Sequence, residues 1–314
     1  MLGLIQITPW HWAGFVVCVL FFLALDLGVF HRKSRVVGFR EALAWTAVWF
    51  ALAMLFAFVI APMAVAHWKF DQTVEFISGY VIELSLSMDN VFVIALIFTH
   101  FAVPDRYQHR VLIWGILGAL LMRGLMIWLG VELVERFAWV LVALGVFLVF
   151  SGLKMLLTKE KKPDPEKTFA VRLTRKIFPV SREFDGQKFV TRLNGRSALT
   201  PLMLVLVLVE TTDLLFAMDS IPAIFAVTTN PFIVFTSNVF AILGLRSLYF
   251  VLAGAIQYFR YLKIGLSVVL VFIGLKMVVA KIFHIPTPLS LGIVVAIIAG
   301  SILASVFTTR HEKA

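Results

Sequence analysis

Two acidic stretches with the same pattern lie inside long apolar runs of this sequence. They read ELSLSMDN at residues 83–90 and DLLFAMDS at residues 213–220, so each has two carboxylates six residues apart and ends in Met-Asp and a small polar residue. A carboxylate at the centre of a bilayer costs at least about 2.5 kcal/mol on insertion scales. These groups, with Glu210 close by, therefore indicate a cation site or a proton relay lined by oxygen ligands.

The spacing of the polar residues predicts how they face on a helix. Glu83, Ser87 and Asn90 fall on one stripe because positions i, i+4 and i+7 share a helix face. Asp213 and Ser220 repeat this stripe in the second stretch. Asn90 and Ser220 can supply neutral oxygen ligands, or these small polar residues can simply pack helices together. Each helix is expected to turn its polar face to a partner and its apolar back to lipid.

The second carboxylate of each stretch lies on a neighbouring stripe. Asp89 and Asp219 are predicted to be direct cation ligands; structural pairing with an arginine is the alternative. Pro222 cannot donate a hydrogen bond to the carbonyl of Met218, which leaves that oxygen free beside Asp219. The sulfur atoms of Met88 and Met218 would favour a transition metal over Mg²⁺, although methionines in apolar spans also serve for packing alone.

Three further charged residues inside apolar runs need an explanation. Arg123 and Arg246 are predicted to neutralise the carboxylates when no metal is bound, and snorkelling to the interface is the alternative. Glu210 lies three residues before Asp213 and is expected to support the ligands from outside the metal shell or to accept a proton.

The composition is typical of a polytopic membrane protein. The chain has 314 residues, is 61% hydrophobic and has a mean hydropathy of +0.97. Its one cysteine, Cys18, excludes an internal disulfide and a Cys-X-X-Cys redox centre, and no prosthetic group is expected. The sequence contains no Walker A, His-Glu-x-x-His or Gly-x-Ser-x-Gly motif, so nothing indicates ATP use or hydrolysis.

The apolar runs predict an all-α fold with about nine transmembrane helices. The predicted spans are residues 12–30, 42–62, 74–99, 110–131, 137–157, 200–227, 232–256, 262–282 and 288–308. The polar segment 158–197 is too polar to cross, and Asn194-Gly195 predicts a small hairpin that pairs residues 189–193 with 196–200.

The distribution of basic residues predicts the orientation. With the N-terminus outside, most of the 28 Lys and Arg residues fall in cytoplasmic segments, and the C-terminus is cytoplasmic. This orientation and the attraction to anionic lipid explain the net charge of +10 without a nucleic-acid partner.

Similar features recur in the two halves of the chain, in spans three to five and six to eight. Span five contains FSGLKM at residues 150–155 and span eight contains FIGLKM at residues 272–277. Because spans three and six would cross in opposite directions, we predict an inverted-topology repeat. The predicted units are two N-terminal helices (1–73), a first three-helix repeat (74–157), a cytoplasmic loop (158–199), a second three-helix repeat (200–283) and a last helix with a cytoplasmic tail (284–314).

These motifs resemble the TerC family of membrane proteins, in particular its bacterial Alx-type branch. The resemblance covers nearly the whole chain and is carried by Glu83 to Asn90, residues 200–222, Thr236-Ser237-Asn238 and Gly244-Leu245-Arg246. It implies a manganese exporter of the bacterial cytoplasmic (inner) membrane, historically linked to tellurium resistance and alkaline response. It also implies that the acidic positions of the family are Glu83, Asp89, Glu210, Asp213 and Asp219.

The residues and the resemblance together predict a secondary transporter rather than an enzyme. It would export Mn²⁺ by alternating access, with the ion held by Asp89 and Asp219 and its shell completed by Glu83, Asp213 and neutral oxygens. Protons entering the carboxylates would displace the metal. Two alternatives remain at this level: a membrane scaffold or redox and stress-response modulator without transport of its own, and an intramembrane enzyme that uses the carboxylates as acid and base. Metal selectivity, the coupling ion and the oligomeric state are left open.

Overall fold

The computed structural model of the protein describes residues 7–25, 38–158, 165–193, 195–253, 261–280, 282–283 and 285–311. These residues are almost entirely helical. The helices are α1 Pro9–Leu25, α2 Phe39–Leu55, α3 Ala61–Ala64, α4 Phe70–His100, α5 Asp105–Arg136, α6 Trp139–Leu157, α7 Phe169–Ile177, α8 Pro201–Phe225, α9 Pro231–Ala253, α10 Leu262–Val279 and α11 Thr287–His311, and the strands are β1 Val190–Leu193 and β2 Arg196–Leu199.

The number of membrane-crossing helices agrees with the sequence. Among the described residues, eight helical segments are long and apolar enough to cross a bilayer, and α1 is a shorter apolar helix. The prediction of an all-α membrane protein with about nine spans is confirmed. Residues 26–30 and 254–256, the predicted ends of spans one and seven, lie outside the described residues.

The second span contains an irregular turn that has a local cause. Residues 56–60 form a π-helical turn between α2 and α3. Pro62 in the following turn has no N–H to donate to the carbonyl four residues earlier, so the regular hydrogen-bond ladder cannot continue there. The segment 39–64 nevertheless remains one candidate span of 26 residues.

Helix α9 is the centre of the bundle. In its most apolar part 94% of the residues are buried, compared with 17% in α11. Helix α9 packs against α2, α4 and α5, while α8 packs against α4 and α5. The two acidic helices, α4 and α8, are therefore held next to each other in the interior, where their polar faces can meet.

Helices α6 and α10 approach each other closely through glycines. A Cβ atom on Gly145 would lie 2.8 Å from the Cβ of Met277, and one on Gly274 would lie 2.6 Å from the carbonyl oxygen of Gly145. A Cβ on Gly152 would lie 2.8 Å from the carbonyl oxygen of Ser267. Small residues at these points let the two backbones approach, which is how helices pack in lipid.

The described part of the segment between the two predicted repeats has regular structure. It contains α7 and the antiparallel pair β1–β2, in which Leu193 pairs with Arg196. Gly195 has a φ of +78°, which glycine adopts without strain. The predicted hairpin is confirmed, although Asn194 itself lies outside the described residues.

Pro222 does not interrupt helix α8. The helix runs through this residue and ends three residues later, at Phe225, so the hydrogen bond that the proline cannot donate belongs to its last turns. The inverted repeat stays a prediction.

Candidate functional site

A buried arginine forms the centre of the polar interior. Arg123 is the nineteenth residue of the 32-residue helix α5, and its side chain is only 2% exposed. At about 1.5 Å per residue it lies roughly 27 Å from the start of this helix and 20 Å from its end. This places the guanidinium at membrane depth, where a charge needs a partner.

Two carboxylates from two different helices hold this guanidinium. Asp213 of α8 accepts two hydrogen bonds, from Nε to Oδ2 at 3.0 Å and from Nη2 to Oδ1 at 2.8 Å. Glu83 of α4 accepts a third from Nη1 through its Oε1. The bidentate geometry with Asp213 suits the planar fork of arginine and fixes its orientation. With both carboxylates ionised, this triad carries one net negative charge.

Neutral side chains complete the hydrogen bonding of the two carboxylates. Asn90 donates to Oδ1 of Asp213 at 2.7 Å, and Asn238 of α9 donates to Oε2 of Glu83 at 3.0 Å. Ser87 donates to Oε1 of Glu83 at 3.2 Å. The cluster of Glu83, Ser87, Asn90, Arg123, Asp213 and Asn238, called the Arg123 cluster below, therefore joins four helices.

The predicted helix stripe explains why these residues meet. Glu83, Ser87 and Asn90 are all buried on one face of α4, and Asp213 and Ser220 are buried on one face of α8. Nη1 of Arg123 also lies 3.5 Å from Oγ of Ser220. The stripes of α4 and α8 therefore face each other around Arg123.

A small cavity adjoins the Arg123 cluster. Its volume is about 20 Å³, and Asn90, Asp213 and Arg246 line it together with apolar residues of α5 and α9. A space of this size holds about one water molecule. Oδ1 of Asn90 is buried and accepts no hydrogen bond within the described part of the chain. The second predicted counter-charge, Arg246, thus lines the same cavity as Asp213.

The other carboxylates of the acidic stretches are placed differently. Six residues correspond to roughly 240° around a helix, so Asp89 and Asp219 point well away from the cluster. Asp219 is half-buried and accepts a hydrogen bond of 2.7 Å from Ser151 of α6. Asp89 is also half-buried. Glu210 packs its carboxylate into the gap left by Gly118 of α5, with a buried Oε2 that makes no hydrogen bond among the described residues.

The predicted metal-ligand set is only partly brought together. Glu83, Asp213, Asn90 and Ser220 surround Arg123. Within the described ranges no three His, Cys, Asp or Glu side chains converge as a metal site. Met218 is 47% exposed on the outer side of α8, and Met88 is half-buried in the apolar core. Metal ligation by these residues stays a prediction.

Two residues of the site were missed in the sequence, and the partners of Arg123 were left open. Asn238 and Ser151 are neutral residues in apolar runs, and neutral residues there serve packing as often as function. The bridging role of Arg123 depends on which acidic residue its helix faces. The signal available in the sequence was the charge itself, at the centre of an apolar run.

Comparison with known proteins identifies the family to which the chain belongs. The model of the integral membrane protein TerC family matches residues 68–313. An uncharacterized membrane protein of Myxococcus xanthus, STKORF319, is 51% identical over 306 residues, covering 97% of this chain and 94% of the relative.

A second relative comes from Escherichia coli K12. It is 44% identical over 318 residues, which cover 98% of this chain and 97% of the relative. That protein is called Alx, and its name suggests that it is a membrane-bound redox modulator. An uncharacterized membrane protein of Rickettsia bellii is 38% identical over 295 residues, covering 94% of this chain and 96% of the relative. No solved structure matches the chain. The chain is a multi-pass integral membrane protein and belongs to the TerC family.

Proposed function

We propose that the protein carries a divalent cation across the membrane, and that Glu83 and Asp213 bind this cation in exchange for Arg123. The observation that carries the proposal is the burial of one guanidinium between carboxylates of α4 and α8 at membrane depth. Intramembrane ionisable residues with a named partner mark ion pathways in membrane proteins.

Charge balance favours an exchange of this kind. Two ionised carboxylates and one arginine leave a net charge of −1, whereas the same carboxylates with a divalent cation are neutral. Separating buried carboxylates from a positive partner is costly, so Arg123 and the cation alternate rather than leave the site empty. Oγ of Ser220 and Oδ1 of Asn238 lie 3.5 and 3.4 Å from Nη1 of Arg123. After a short movement of the guanidinium, these two oxygens can accept its hydrogen bonds.

The two asparagines provide further oxygen ligands. Asn90 and Asn238 now donate their amide groups to the carboxylates. Rotation of either amide by half a turn would present its carbonyl oxygen instead. Carboxylate and carbonyl oxygens are the ligands that Mn²⁺ and other hard divalent cations prefer.

The choice of Mn²⁺, its export across the bacterial inner membrane and the coupling to protons rest on the family resemblance. In this scheme Asp89, Asp219 and Glu210 act along the route to and from the Arg123 cluster, because they lie outside it. Protonation of the carboxylates would release the metal, which couples export to an opposing flow of protons.

The contacts of α6 and α10 support alternating access by two related halves. The sequence match pairs Gly152 with Gly274 and, seven residues earlier, Gly145 with Ser267. Gly152 packs against Ser267, and Gly145 packs against Gly274. Exchanging the two repeats therefore converts one contact into the other, as expected of halves related by a two-fold axis.

Flux of ⁵⁴Mn²⁺ into proteoliposomes tests this function. We compare the wild type with Asp213→Asn, Asp89→Asn and Asp219→Asn, with and without a pH gradient, and use Glu135→Gln at the exposed end of α5 as the matched control. The expected result is flux in the wild type and the control, loss of flux in Asp213→Asn, and stimulation by an opposing proton gradient. Equal flux in the wild type and in Asp213→Asn would show that the cation site does not include Asp213.

A second candidate function is a membrane scaffold. The observation that favours it is the segment that carries α7, β1 and β2, in which the ring of Phe189 contacts Trp114 of α5. Absence of flux above empty liposomes, from protein verified as folded, would favour this function. The name of the Escherichia coli relative contains a redox function. A thiol for such a function could come only from Cys18, the one cysteine in the sequence, which is exposed on α1.

A further inference from the structure

The short helix α7 has three distinct faces. Val171 is its one fully buried side chain and belongs to the same apolar cluster as Leu202 and Val205 in the first turns of α8. The opposite face is apolar but uncovered: Phe169, Leu173 and Ile177 are 72%, 43% and 60% exposed. A spacing of four residues places these three side chains on one stripe.

The third face of α7 is basic. Arg172, Arg175 and Lys176 are all exposed, and the helix contains no acidic residue. Arg175 pairs with Glu166 at 3.3 Å, just before the helix. Arg172 and Lys176 are four residues apart, so they form a basic stripe beside the exposed apolar one.

The packing of α7 on α8 sets its depth relative to the bilayer. Helix α8 has 25 residues, or roughly 37 Å, and exceeds the hydrocarbon core of about 30 Å. Its first turns, where Val171 packs, therefore lie at the level of the lipid headgroups. The exposed apolar stripe of α7 is then at the boundary between headgroups and acyl chains.

We propose that α7 is an interfacial helix that binds anionic phospholipid. The stripe of Phe169, Leu173 and Ile177 inserts into the top of the acyl region, and Arg172 and Lys176 contact lipid phosphates. An amphipathic helix with bulky apolar residues on one face and Lys or Arg on the other is the structure that binds in this position. This inference does not depend on transport by the Arg123 cluster.

The basic stripe of α7 favours lipid over a second copy of the chain as the partner of the exposed apolar stripe. A two-fold contact through the apolar stripe would bring the basic stripes of both copies together. These cations would repel each other in a dimer, whereas they are complementary to an anionic lipid surface.

The test uses the full-length protein in single-copy nanodiscs. Cys18 is the only cysteine, so Cys18→Ser gives a background in which Leu173→Cys carries one environment-sensitive fluorophore. Ser197→Cys, an exposed position in β2, serves as the matched control. The lipids are phosphatidylcholine alone or mixed with phosphatidylglycerol, each with a doxyl quencher near the top of the acyl chain.

The expected result is quenching at position 173, stronger with phosphatidylglycerol, and little quenching at position 197. Replacing both cations, Arg172→Gln with Lys176→Gln, should remove the preference for phosphatidylglycerol, which we expect to be about fivefold in lipid affinity per cation. Equal quenching in both lipids would overturn the recognition of anionic headgroups. No quenching at 173, or a change of its fluorescence only when two copies share a nanodisc, would overturn the lipid as occupant.

Discussion

At the scale of single residues, the account depends on one cation shared by two carboxylates. Arg123 is the link between Glu83 and Asp213, and each carboxylate receives a further bond from an asparagine. Removing any member of this network leaves a buried polar group without a partner that it now has. A buried charge that loses its partner is much more costly than the pair itself is favourable.

Arg123→Gln should therefore lower the free energy of unfolding by about 3–5 kcal/mol, because two buried carboxylates lose their positive partner. Denaturant or thermal unfolding in detergent measures this loss. The double variant with Asp213→Asn should regain part of it, since one of the uncompensated charges is gone.

The matched control for this prediction is Arg136→Gln. Arg136 pairs with Glu132 but is 69% exposed, so its loss should change stability by less than about 1 kcal/mol. Similar effects of the two substitutions would show that burial of Arg123 does not carry the energy claimed for it.

At the scale of elements, α6 and α10 pack closely because glycines at their contact have no side chains. Gly145→Ala would place a methyl group 2.8 Å from Met277, and overpacking of this kind costs about 1–3 kcal/mol. Gly300→Ala in α11 is the control, because nothing lies within 4 Å of its Cβ position. It should be neutral or gain about 0.5–1 kcal/mol from the better helix propensity of alanine.

Unfolding temperatures of these two glycine variants test the prediction. A lower value for Gly145→Ala only is expected. A similar response of both variants would mean that α6 and α10 separate easily, which would remove the support that this contact gives to two related halves.

The segment between α7 and β1 contains a carboxylate, that of Asp185, whose hydrogen bonds make the local stability depend on pH. Hydrogen bonds from Thr191 at 2.8 Å and Lys188 at 3.2 Å hold the pKa of Asp185 below its usual range. Because the pKa is lower in the folded loop, the stabilisation is complete above the unfolded value of about 3.9 and is lost as the pH falls through the folded value.

Hydrogen-exchange protection of residues 185–199, corrected for the intrinsic exchange rate, should therefore decrease in the acidic range. Asp185→Asn should make protection independent of pH there, while Glu183→Gln should behave like the wild type. Unchanged acid sensitivity in Asp185→Asn would attribute it to another group.

At the scale of the whole molecule, the sequence predicts the architecture much better than the site. Apolar runs of about 20 residues mark the spans because the bilayer thickness demands them, and Asn194-Gly195 marks the hairpin through its turn. The stripe of Glu83, Ser87 and Asn90 follows from helix geometry alone.

What the sequence does not predict is the choice of partners across helices. Arg123 could have paired with any of the acidic residues, and the rotation of α4 and α8 decides for Glu83 and Asp213. The same rotation turns Asp219 toward Ser151. Helix α7 was missed because nine residues in a charged segment give too weak a periodic signal.

The most direct test of the central claim is equilibrium binding of ⁵⁴Mn²⁺ to the purified protein at neutral pH. The claim is that Arg123 and the cation compete for the same two carboxylates. Asp213→Asn should weaken binding at least about tenfold, which corresponds to 1.4 kcal/mol, and Arg123→Gln should tighten it. Glu135→Gln should bind like the wild type. Binding that is unchanged in both Asp213→Asn and Arg123→Gln would contradict the account.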